Sequence, residues 1–250
     1  MSAAQTGVMA RRDLLHVLSD PQQLIGMTVQ PLMFLLLFVY VFGGAISGST
    51  RAYLQFVLPG LLVQGIGFQT MATAVGLNAD FKQGLIDRFR SLPIARSAVV
   101  AGRVTADLAR TAWSALIIVA VAVALGFRFH GGVAGAIGAF ALVLALGVGM
   151  CWLMAFLGTA LRSPEAVQAT GFMLVMPLTF ASSVLVPAAS LPGWLRAFVT
   201  VNPISVIATA MRGLMLGGPV ATPVLQSAAW IAALCLVFGT LTVTAYRRRT

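Results

Sequence analysis

Hydroxyl, amide, thioether and aromatic side chains recur at helical spacing within long apolar stretches of the sequence. Gln69, Thr70 and Thr73 share one face of a helix by the 3.6-residue period. Four residues of a second helix project within about 60° of one another, namely Phe172, Met176, Thr179 and Ser183. Methionine and aromatic rings adapt to the shape of an apolar molecule, and single hydroxyl groups orient it. The two faces are therefore candidates for the binding pathway of a large, weakly polar solute.

Ordinary helix packing accounts for the same two faces, because Ser and Thr hydroxyl groups often join neighbouring helices in membrane bundles. Gly131 and Gly135 form a GxxxG pattern, which is typical of two closely packed helices. At the level of the sequence both interpretations of the polar faces stay open.

The sequence lacks the motifs of nucleotide hydrolysis and of metal catalysis. The single lysine, Lys82, is followed by Gln83 and has no glycine-rich loop before it, so the chain has no Walker A motif for ATP. Neither the two histidines, His16 and His130, nor the two cysteines show the spacing of metal ligands. We therefore expect no catalytic residue, no metal site and no cofactor in this chain.

The composition indicates that the polar faces lie on helices that cross a membrane. The 250 residues are 59% hydrophobic and only 9% charged, whereas soluble domains carry about 25% charged residues. Stretches without a charged residue are long enough to form helices across a hydrocarbon core about 30 Å thick, and they are 21–50, 52–79, 111–127, 129–161, 166–195 and 213–246. The sequence predicts an all-α integral membrane protein, a single domain over 1–250, with six transmembrane helices.

The basic residues are distributed unevenly over the two sides of such a topology. The side that holds both termini receives 12 of the 16 lysine and arginine residues. Cytoplasmic loops carry an excess of these residues, so we expect both termini to be cytoplasmic. Most of the net charge of +10 is thereby explained by topology, and nucleic acid is not an expected partner.

Arg103, Asp107 and Arg110 precede the third apolar stretch at the spacing of one helix face. We interpret them as the ion-paired cytoplasmic end of that helix, because a charge at the bilayer centre costs about 3 kcal/mol or more. A proton relay is the alternative interpretation. With the ion-paired assignment no acidic residue lies within a span, which disfavours a secondary transporter driven by Na⁺ or H⁺.

Three segments outside the spans have amphipathic or capped patterns. Residues 8–20 have one apolar and one polar face, which predicts an interfacial helix on the inner leaflet. Residues 80–93 predict a short amphipathic helix in the cytoplasm, either a solvated loop or a lever for a cytoplasmic subunit. Residues 190–216 contain two short helix signals, at Ser190 and Asn202, and predict an external re-entrant hairpin before the sixth span.

Five short stretches resemble, in the same order, the permease subunits of ABC-2 type exporters, and within them the daunorubicin-resistance-like drug export branch. They are 87–93 (Asp-Arg-Phe-Arg-Ser-Leu-Pro), 162–168 (Arg-Ser-Pro-Glu-Ala-Val-Gln), 177–183 (Pro-Leu-Thr-Phe-Ala-Ser-Ser), 191–194 (Leu-Pro-Gly-Trp) and 201–203 (Val-Asn-Pro). The resemblance covers nearly the whole chain.

The resemblance implies a permease that dimerises with a second copy, while two copies of a separate ATP-binding subunit bind ATP and Mg²⁺. It further implies that segment 80–93 is a coupling helix that contacts this subunit, through Phe81, Gly84, Asp87, Arg88, Phe89 and Arg90. The implied function is export of an amphiphilic drug-like or lipid-like solute across the plasma membrane, with membrane lipids as the other partner. Export of a lipid, glycolipid or polysaccharide is the alternative within the family, and an ATP-independent secondary transporter is the alternative outside it.

Overall fold

The computed structural model describes residues 21–82 and 96–249, with side chains over 28–79 and 106–245. All regular elements in these ranges are helices, so the predicted all-α class is confirmed. They are α1 (Pro21–Leu37), a π-helical turn (Phe38–Phe42), α2 (Gly43–Ser47), α3 (Thr50–Lys82), α4 (Arg96–Ala124), α5 (Gly132–Ala160), α6 (Pro164–Phe180), a 3-10 turn (Ala188–Ser190), α7 (Gly193–Val201), α8 (Pro203–Leu216) and α9 (Ala221–Arg249).

Several of these helices are long and apolar enough to cross a membrane. Within the described ranges there are five such spans, and they are Thr28–Ser47, Thr50–Ala79, Ala106–Ala124, Gly132–Ala160 and Ala221–Ala245. A sixth is obtained if α7 and α8, which meet at an angle of 74°, are counted as one broken span. The chain is therefore a multi-pass helical membrane protein.

The fifth predicted stretch, 166–195, is helical over only part of its length. Helix α6 has 17 residues and ends at Phe180, so the charge-free stretch is longer than its helix. The Ser182 hydroxyl donates to the Thr179 carbonyl and accepts a hydrogen bond from the Val184 amide at 3.2 Å. A serine hydroxyl that competes for backbone groups can end a helix without any charge, which a search for charged residues does not detect.

Helix α3 lies at the centre of the bundle, and α6 runs along it in the opposite direction. In the most apolar part of its span α3 is 61% buried, against 17% for the span formed by α1 and α2. A Cβ atom placed on Gly171 would lie 3.1 Å from Met71 Cε, and one placed on Gly60 would lie 3.0 Å from Val184 Cα. Gly60, Gly67 and Met71 follow one another along α3, and they meet Val184 just after α6, Val175 near its end and Gly171 at its middle. The two helices are therefore antiparallel.

The bundle has two ends with different contents. At the hairpin end, the start of α3 contacts the segment after α6 and Arg212 of α8, and the start of α5 meets the last turn of α8. At the opposite end, the charged end, α3 stops at Lys82, α4 starts at Arg96 and α6 starts just after Arg162. The predicted interfacial helix, 8–20, and most of the predicted coupling helix, 80–93, lie outside the described residues.

The close packing predicted at Gly131 and Gly135 is confirmed, and the partner is the last turn of α8. A Cβ atom on either glycine would overlap the carbonyl oxygen of Leu214. The backbone amides of His130 and Gly131 both donate to the Met215 carbonyl, at 2.9 and 3.1 Å. Glycine at these positions lets the two backbones approach closely enough for direct hydrogen bonds.

Candidate solute site

A cavity of about 240 Å³ lies between α1, α3 and α4. Part of its wall is aromatic, with Phe34 from α1 and Phe68 from α3. The Phe68 ring also lies 6.3 Å, between ring centroids, from the ring of Phe172 on α6. Helix α1 forms the most exposed wall, and Gln30 on this helix is itself exposed. The cavity therefore lies within the bundle and is bounded on one side by its least buried helix.

The polar part of the wall contains side-chain atoms that have no hydrogen-bond partner. Gln64, which is only 4% exposed, leaves Oε1 unpaired. Gln69 leaves Nε2 unpaired, and Arg110 leaves Nε unpaired. A buried polar atom without a partner costs about 1–3 kcal/mol. Three such atoms on residues that line one cavity are typical of a site that is completed by a ligand or by water.

Arg110 connects this cavity to a buried carboxylate. Its Nη1 lies 2.9 Å from Asp107 Oδ1, and Asp107 is 6% exposed. The Thr73 hydroxyl of α3 donates to Asp107 Oδ2 at 2.8 Å, and Cys151 Sγ of α5 lies 3.7 Å from the same oxygen. Asp107 therefore joins α3, α4 and α5 near the charged end of the bundle.

The predicted pairing of Asp107 with Arg110 is confirmed, whereas the side chain of Arg103 lies outside the described residues. Asp107 is the second residue of the apolar span Ala106–Ala124. It can be buried there because an arginine, a threonine hydroxyl and a thiol satisfy its two oxygens.

The three residues predicted on α3 have three different surroundings. Gln69 lines the cavity, and Thr73 binds Asp107 instead of facing a solute. Thr70 is 2% exposed, and its hydroxyl donates within α3 to the carbonyls of Ile66 and Gly67. The predicted polar face thus contributes one residue to the cavity and one to the ion-pair network beside it.

The four residues predicted on α6 divide into two pairs. Phe172 and Met176 are 40% and 43% exposed, on the outside of the described bundle. Thr179 is buried and its hydroxyl donates to the Val175 carbonyl of the same helix. Ser183 lies beyond the end of α6 and is buried among residues of the hairpin end. The structure does not bring these four side chains together in one cavity.

Of the residues implied to couple the chain to its ATP-binding subunit, Phe81 falls within α3 but its side chain is not described. Gly84, Asp87, Arg88, Phe89 and Arg90 lie outside the described residues.

Sequence reasoning missed Gln30, Gln64, Arg110 and Ser114 as residues of the cavity wall. A signal for two of them was present, since Gln30 and Gln64 are amides inside charge-free stretches. Arg110 was recognised only as a member of an ion pair. Its second role depends on the approach of α1 and α3 to α4, which periodicity within one helix does not report.

A second polar cluster lies at the hairpin end, around Arg212 of α8. Arg212 Nε donates to the Phe56 carbonyl at 2.9 Å, and Nη2 donates to the Ser183 and Val184 carbonyls at 2.6 and 3.1 Å. The guanidinium carbon lies 3.9 Å above the centre of the Phe56 ring. The Tyr53 hydroxyl donates to the Leu185 carbonyl at 2.9 Å. Arg212 therefore holds the non-helical segment after α6 against α3.

Asn202 is the hinge of the same cluster. Its Oδ1 accepts from the Ile204 amide at 2.9 Å and so caps α8. Its Nδ2 donates to the Leu178 and Ala181 carbonyls at 2.7 and 2.9 Å, which satisfies the end of α6. One side chain therefore caps two helices, and it fixes the bend between α7 and α8 beside the end of α6.

Taken together, these apolar helices define the class of multi-pass membrane proteins, and a cavity with polar residues and a buried ion pair lie within the bundle. Comparison with known proteins gives the family. The ABC-2 type transporter family matches residues 4–216, and this chain belongs to that family.

Named relatives narrow the class further. The chain is 40% identical over 229 residues to a "Daunorubicin resistance ABC transporter permease protein" of Streptomyces coeruleorubidus, covering 92% of this chain and 81% of the relative. It is 30% identical over 247 residues to a "Probable doxorubicin resistance ABC transporter permease protein" of Mycobacterium tuberculosis, covering 98% and 89%. The chain is accordingly a permease subunit of an ABC exporter.

Proposed function

We propose that this chain provides the membrane pathway of an ATP-driven exporter that moves an amphiphilic, drug-like or lipid-like solute outward across the plasma membrane. The observation that carries the proposal is the cavity between α1, α3 and α4, whose wall combines aromatic rings with unpaired polar atoms. Such a wall suits a solute with an apolar body and a few polar groups. The drugs in the names of the relatives support a solute of this kind.

In this proposal the chain crosses the membrane six times, and α6 is the fifth crossing. The antiparallel contact of α6 with α3 supports this assignment. The α7–α8 pair does not cross, because Asn202 at its bend and Met215 at its end both contact residues of the hairpin end. The pair is then a re-entrant hairpin on the outer side. The excess of basic residues at the charged end supports a cytoplasmic position for that end and for both termini.

ATP and Mg²⁺ bind to a separate ATP-binding subunit in this proposal, because the chain has no Walker A motif. Two copies of that subunit act with two copies of the permease. Segment 80–93 connects the end of α3 with the start of α4 at the charged end, and it is the proposed docking element. The bond between Thr73 and Asp107 ties the same two helices together within the bundle, so a displacement of this segment would reach the cavity wall.

The primary test uses inside-out vesicles that contain the permease and its ATP-binding subunit. We expect doxorubicin and daunorubicin to accumulate in the vesicles with ATP, and not with ADP or without the ATP-binding subunit. Vesicles with a Walker-lysine variant of that subunit serve as the control. Accumulation that does not depend on ATP would refute the proposal.

A second test addresses coupling. In the Asp87→Ala/Arg88→Ala double variant we expect export to fall by about tenfold or more, since removal of charged contacts at an interface commonly costs about 2 kcal/mol or more. Folding and membrane insertion should be unchanged. Arg248→Ala/Arg249→Ala, which removes two charges from the same side, is the matched control. Normal export by the first variant would exclude a coupling role for these two residues.

The buried carboxylate favours one other candidate, an ATP-independent transporter driven by protons. Asp107 is 6% exposed within a span, which is where proton-coupled transporters place their carboxylates. Its ion pair with Arg110 is the argument against this role. Transport of the same drugs under a pH gradient without ATP, abolished by Asp107→Asn, would establish the alternative. Transport only with ATP would exclude it.

A further inference from the structure

We propose that the cavity between α1, α3 and α4 holds the aromatic body of the solute, that Gln64, Gln69 and Arg110 bind its ring oxygens, and that an amine on the same solute stays outside the cavity. This inference rests on the proposed function, because it states how a solute of the same pathway is recognised. Drugs that carry an amine are therefore taken by the site, and their ring oxygens, rather than the amine, determine the affinity.

The first step concerns the aromatic body. Residues 64, 65, 68, 69 and 72 of α3 line the cavity, and their helical spacing makes them one face. Phe68 lies on this face one turn after Gln64, and Phe34 of α1 contributes a second ring to the wall. Planar ring systems pack favourably against aromatic side chains. A fused-ring solute thus meets aromatic rings and amide groups on the same wall.

The second step concerns hydrogen bonding. Gln64 Oε1, Gln69 Nε2 and Arg110 Nε have no partner, and all of these residues line the cavity. A primary amide can turn to present either its donor or its acceptor, whereas the arginine Nε only donates. Ring carbonyl and hydroxyl oxygens can satisfy such a set. A hydrocarbon of the same shape leaves it unpaired.

The third step concerns charge. Among the described residues that line the cavity, Arg110 is charged and none is acidic. Arg110 pairs with Asp107 at 2.9 Å, and the other oxygen of that carboxylate accepts from Thr73. An ammonium group inside the cavity would meet a cation and no free carboxylate, so its burial would carry an uncompensated desolvation cost. The amine of a bound solute therefore stays with water or lipid headgroups, as the charged ends of long side chains do.

The fourth step concerns size and access. The volume of about 240 Å³ is below the 300–1,000 Å³ of sites that enclose a drug-sized ligand, so the cavity takes only part of such a molecule. Helix α1 forms one wall and belongs to a span that is only 17% buried. The rest of the solute, with its amine, extends past this helix toward the lipid. A cationic drug and its uncharged derivative should therefore bind alike.

The first comparison tests the ring oxygens. Binding to the complete exporter in lipid nanodiscs without nucleotide is measured as displacement of tritiated daunorubicin, after subtraction of the partition into empty nanodiscs. The probes are 9,10-anthraquinone and 9,10-dimethylanthracene, in which methyl groups replace the carbonyl oxygens. We expect the quinone to bind about tenfold more tightly, which corresponds to one hydrogen bond of about 1.4 kcal/mol. A ratio below about threefold, or no displacement by the quinone, would overturn the inference.

The second comparison tests the amine in the same assay. It uses daunorubicin and N-acetyldaunorubicin, in which the amine is converted to an uncharged amide. We expect the two affinities to agree within about threefold, because the site does not contact this group. A larger difference in either direction would show that the amine is recognised and would overturn the inference.

Variants locate the binding. In Gln64→Leu and Gln69→Leu we expect the preference for the quinone over the hydrocarbon to fall by at least about threefold, while the affinity for the hydrocarbon is kept. The melting temperature should be unchanged or raised, because leucine removes an unpaired buried polar atom. Gln226→Leu on α9, outside this cavity, is the matched control and should keep the parental preference. A parental preference in both cavity variants would overturn the inference, as would an equal loss of affinity for both probes.

The two proposals fail in different ways. A preference for the quinone that the cavity variants reduce, with no ATP-dependent export, would retain the site and refute the exporter function. ATP-dependent export without this preference, or with a preference that the cavity variants do not change, would refute the site and retain the exporter function.

Discussion

Arg110 and Arg212 are both arginines within the bundle, but their surroundings differ. Arg212, at the hairpin end, donates from two nitrogens to three backbone carbonyls and lies over an aromatic ring. Arg110, nearer the charged end, pairs with Asp107 and leaves Nε without a partner beside a cavity. The acceptors of Arg212 belong to the backbone of α3 and of the segment after α6, so its bonds hold the fold together.

The difference between the two arginines extends to the helices around them. At the hairpin end, glycines and capping groups bring backbones into direct contact, as at Gly135 and Asn202. Around Arg110, buried amide atoms are unpaired and an open volume remains between three helices. Sites that must bind and release a ligand retain such imperfections, since full satisfaction would stabilise the empty state. We therefore expect substitutions at the hairpin end to change mainly stability, and substitutions around the cavity to change mainly transport.

The largest effect is expected at Arg212. Arg212→Met would leave three carbonyls unpaired and should lower the free energy of unfolding by about 3–5 kcal/mol. Unfolding in mixed micelles of increasing SDS content measures this loss. Arg212→Lys should lie between the parent and the methionine variant, because one ammonium group does not reproduce the fork of the guanidinium. A methionine variant that folds normally but does not export would instead make Arg212 part of the pathway.

A somewhat smaller effect is expected at Gly135. Gly135→Ala would drive a methyl group into the Leu214 carbonyl and should cost about 2–3 kcal/mol, measured by the same unfolding assay. The matched control is Gly44→Ala on α2, since a Cβ atom there meets nothing within 4 Å. Equal stability of the two variants would contradict the close contact of α5 with α8.

At Arg110 we expect a substitution to reduce transport much more than it reduces stability. Arg110→Gln should cost about 1–2 kcal/mol, because the side chain is 26% exposed and Thr73 still binds Asp107. Export per folded molecule should nevertheless fall at least tenfold. The double variant Asp107→Asn/Arg110→Gln removes both charges and should recover most of the stability but none of the export. Export that follows stability through this series would make Arg110 a structural residue like Arg212.

The smallest effect is expected at Gly65, in the cavity wall. A Cβ atom at Gly65 meets nothing within 4 Å, so Gly65→Ala should stabilise α3 by about 0.5–1 kcal/mol. The added methyl group takes up cavity volume and should weaken binding of doxorubicin to the exporter by up to about tenfold. A stability gain with unchanged affinity would place the drug elsewhere.

Features of the fold were predictable from the sequence where residues close together in the chain produce them. The GxxxG pattern at Gly131 and Gly135 correctly predicted close packing, because small residues on membrane helices commonly lie where two helices approach closely. The spacing of Asp107 and Arg110 correctly predicted their ion pair, because residues three apart lie on the same helix face. The end of α6 was not predictable from charge, because Ser182 and the distant Asn202 end this helix with neutral groups.

The candidate site was predictable only in part. Gln69 was singled out on α3 and does line the cavity, but Gln64 was not, although it is the more deeply buried amide. In a membrane bundle the lipid and the protein core are both apolar. The sequence of a helix therefore indicates only weakly which of its faces packs against neighbouring helices. The roles of the residues implied to contact the ATP-binding subunit stay predictions.

By itself the sequence determined the class of the protein, since apolar length, charge-free stretches and the asymmetry of arginine depend on composition and position along the chain. It also determined the family, through motifs that are continuous in the chain. Only the tertiary structure decided which polar groups meet, such as Arg212 with the Phe56 carbonyl and Thr73 with Asp107. The physical reason is that helical periodicity sets the direction of a side chain about its own axis, whereas its partner is set by the packing of helices distant in sequence.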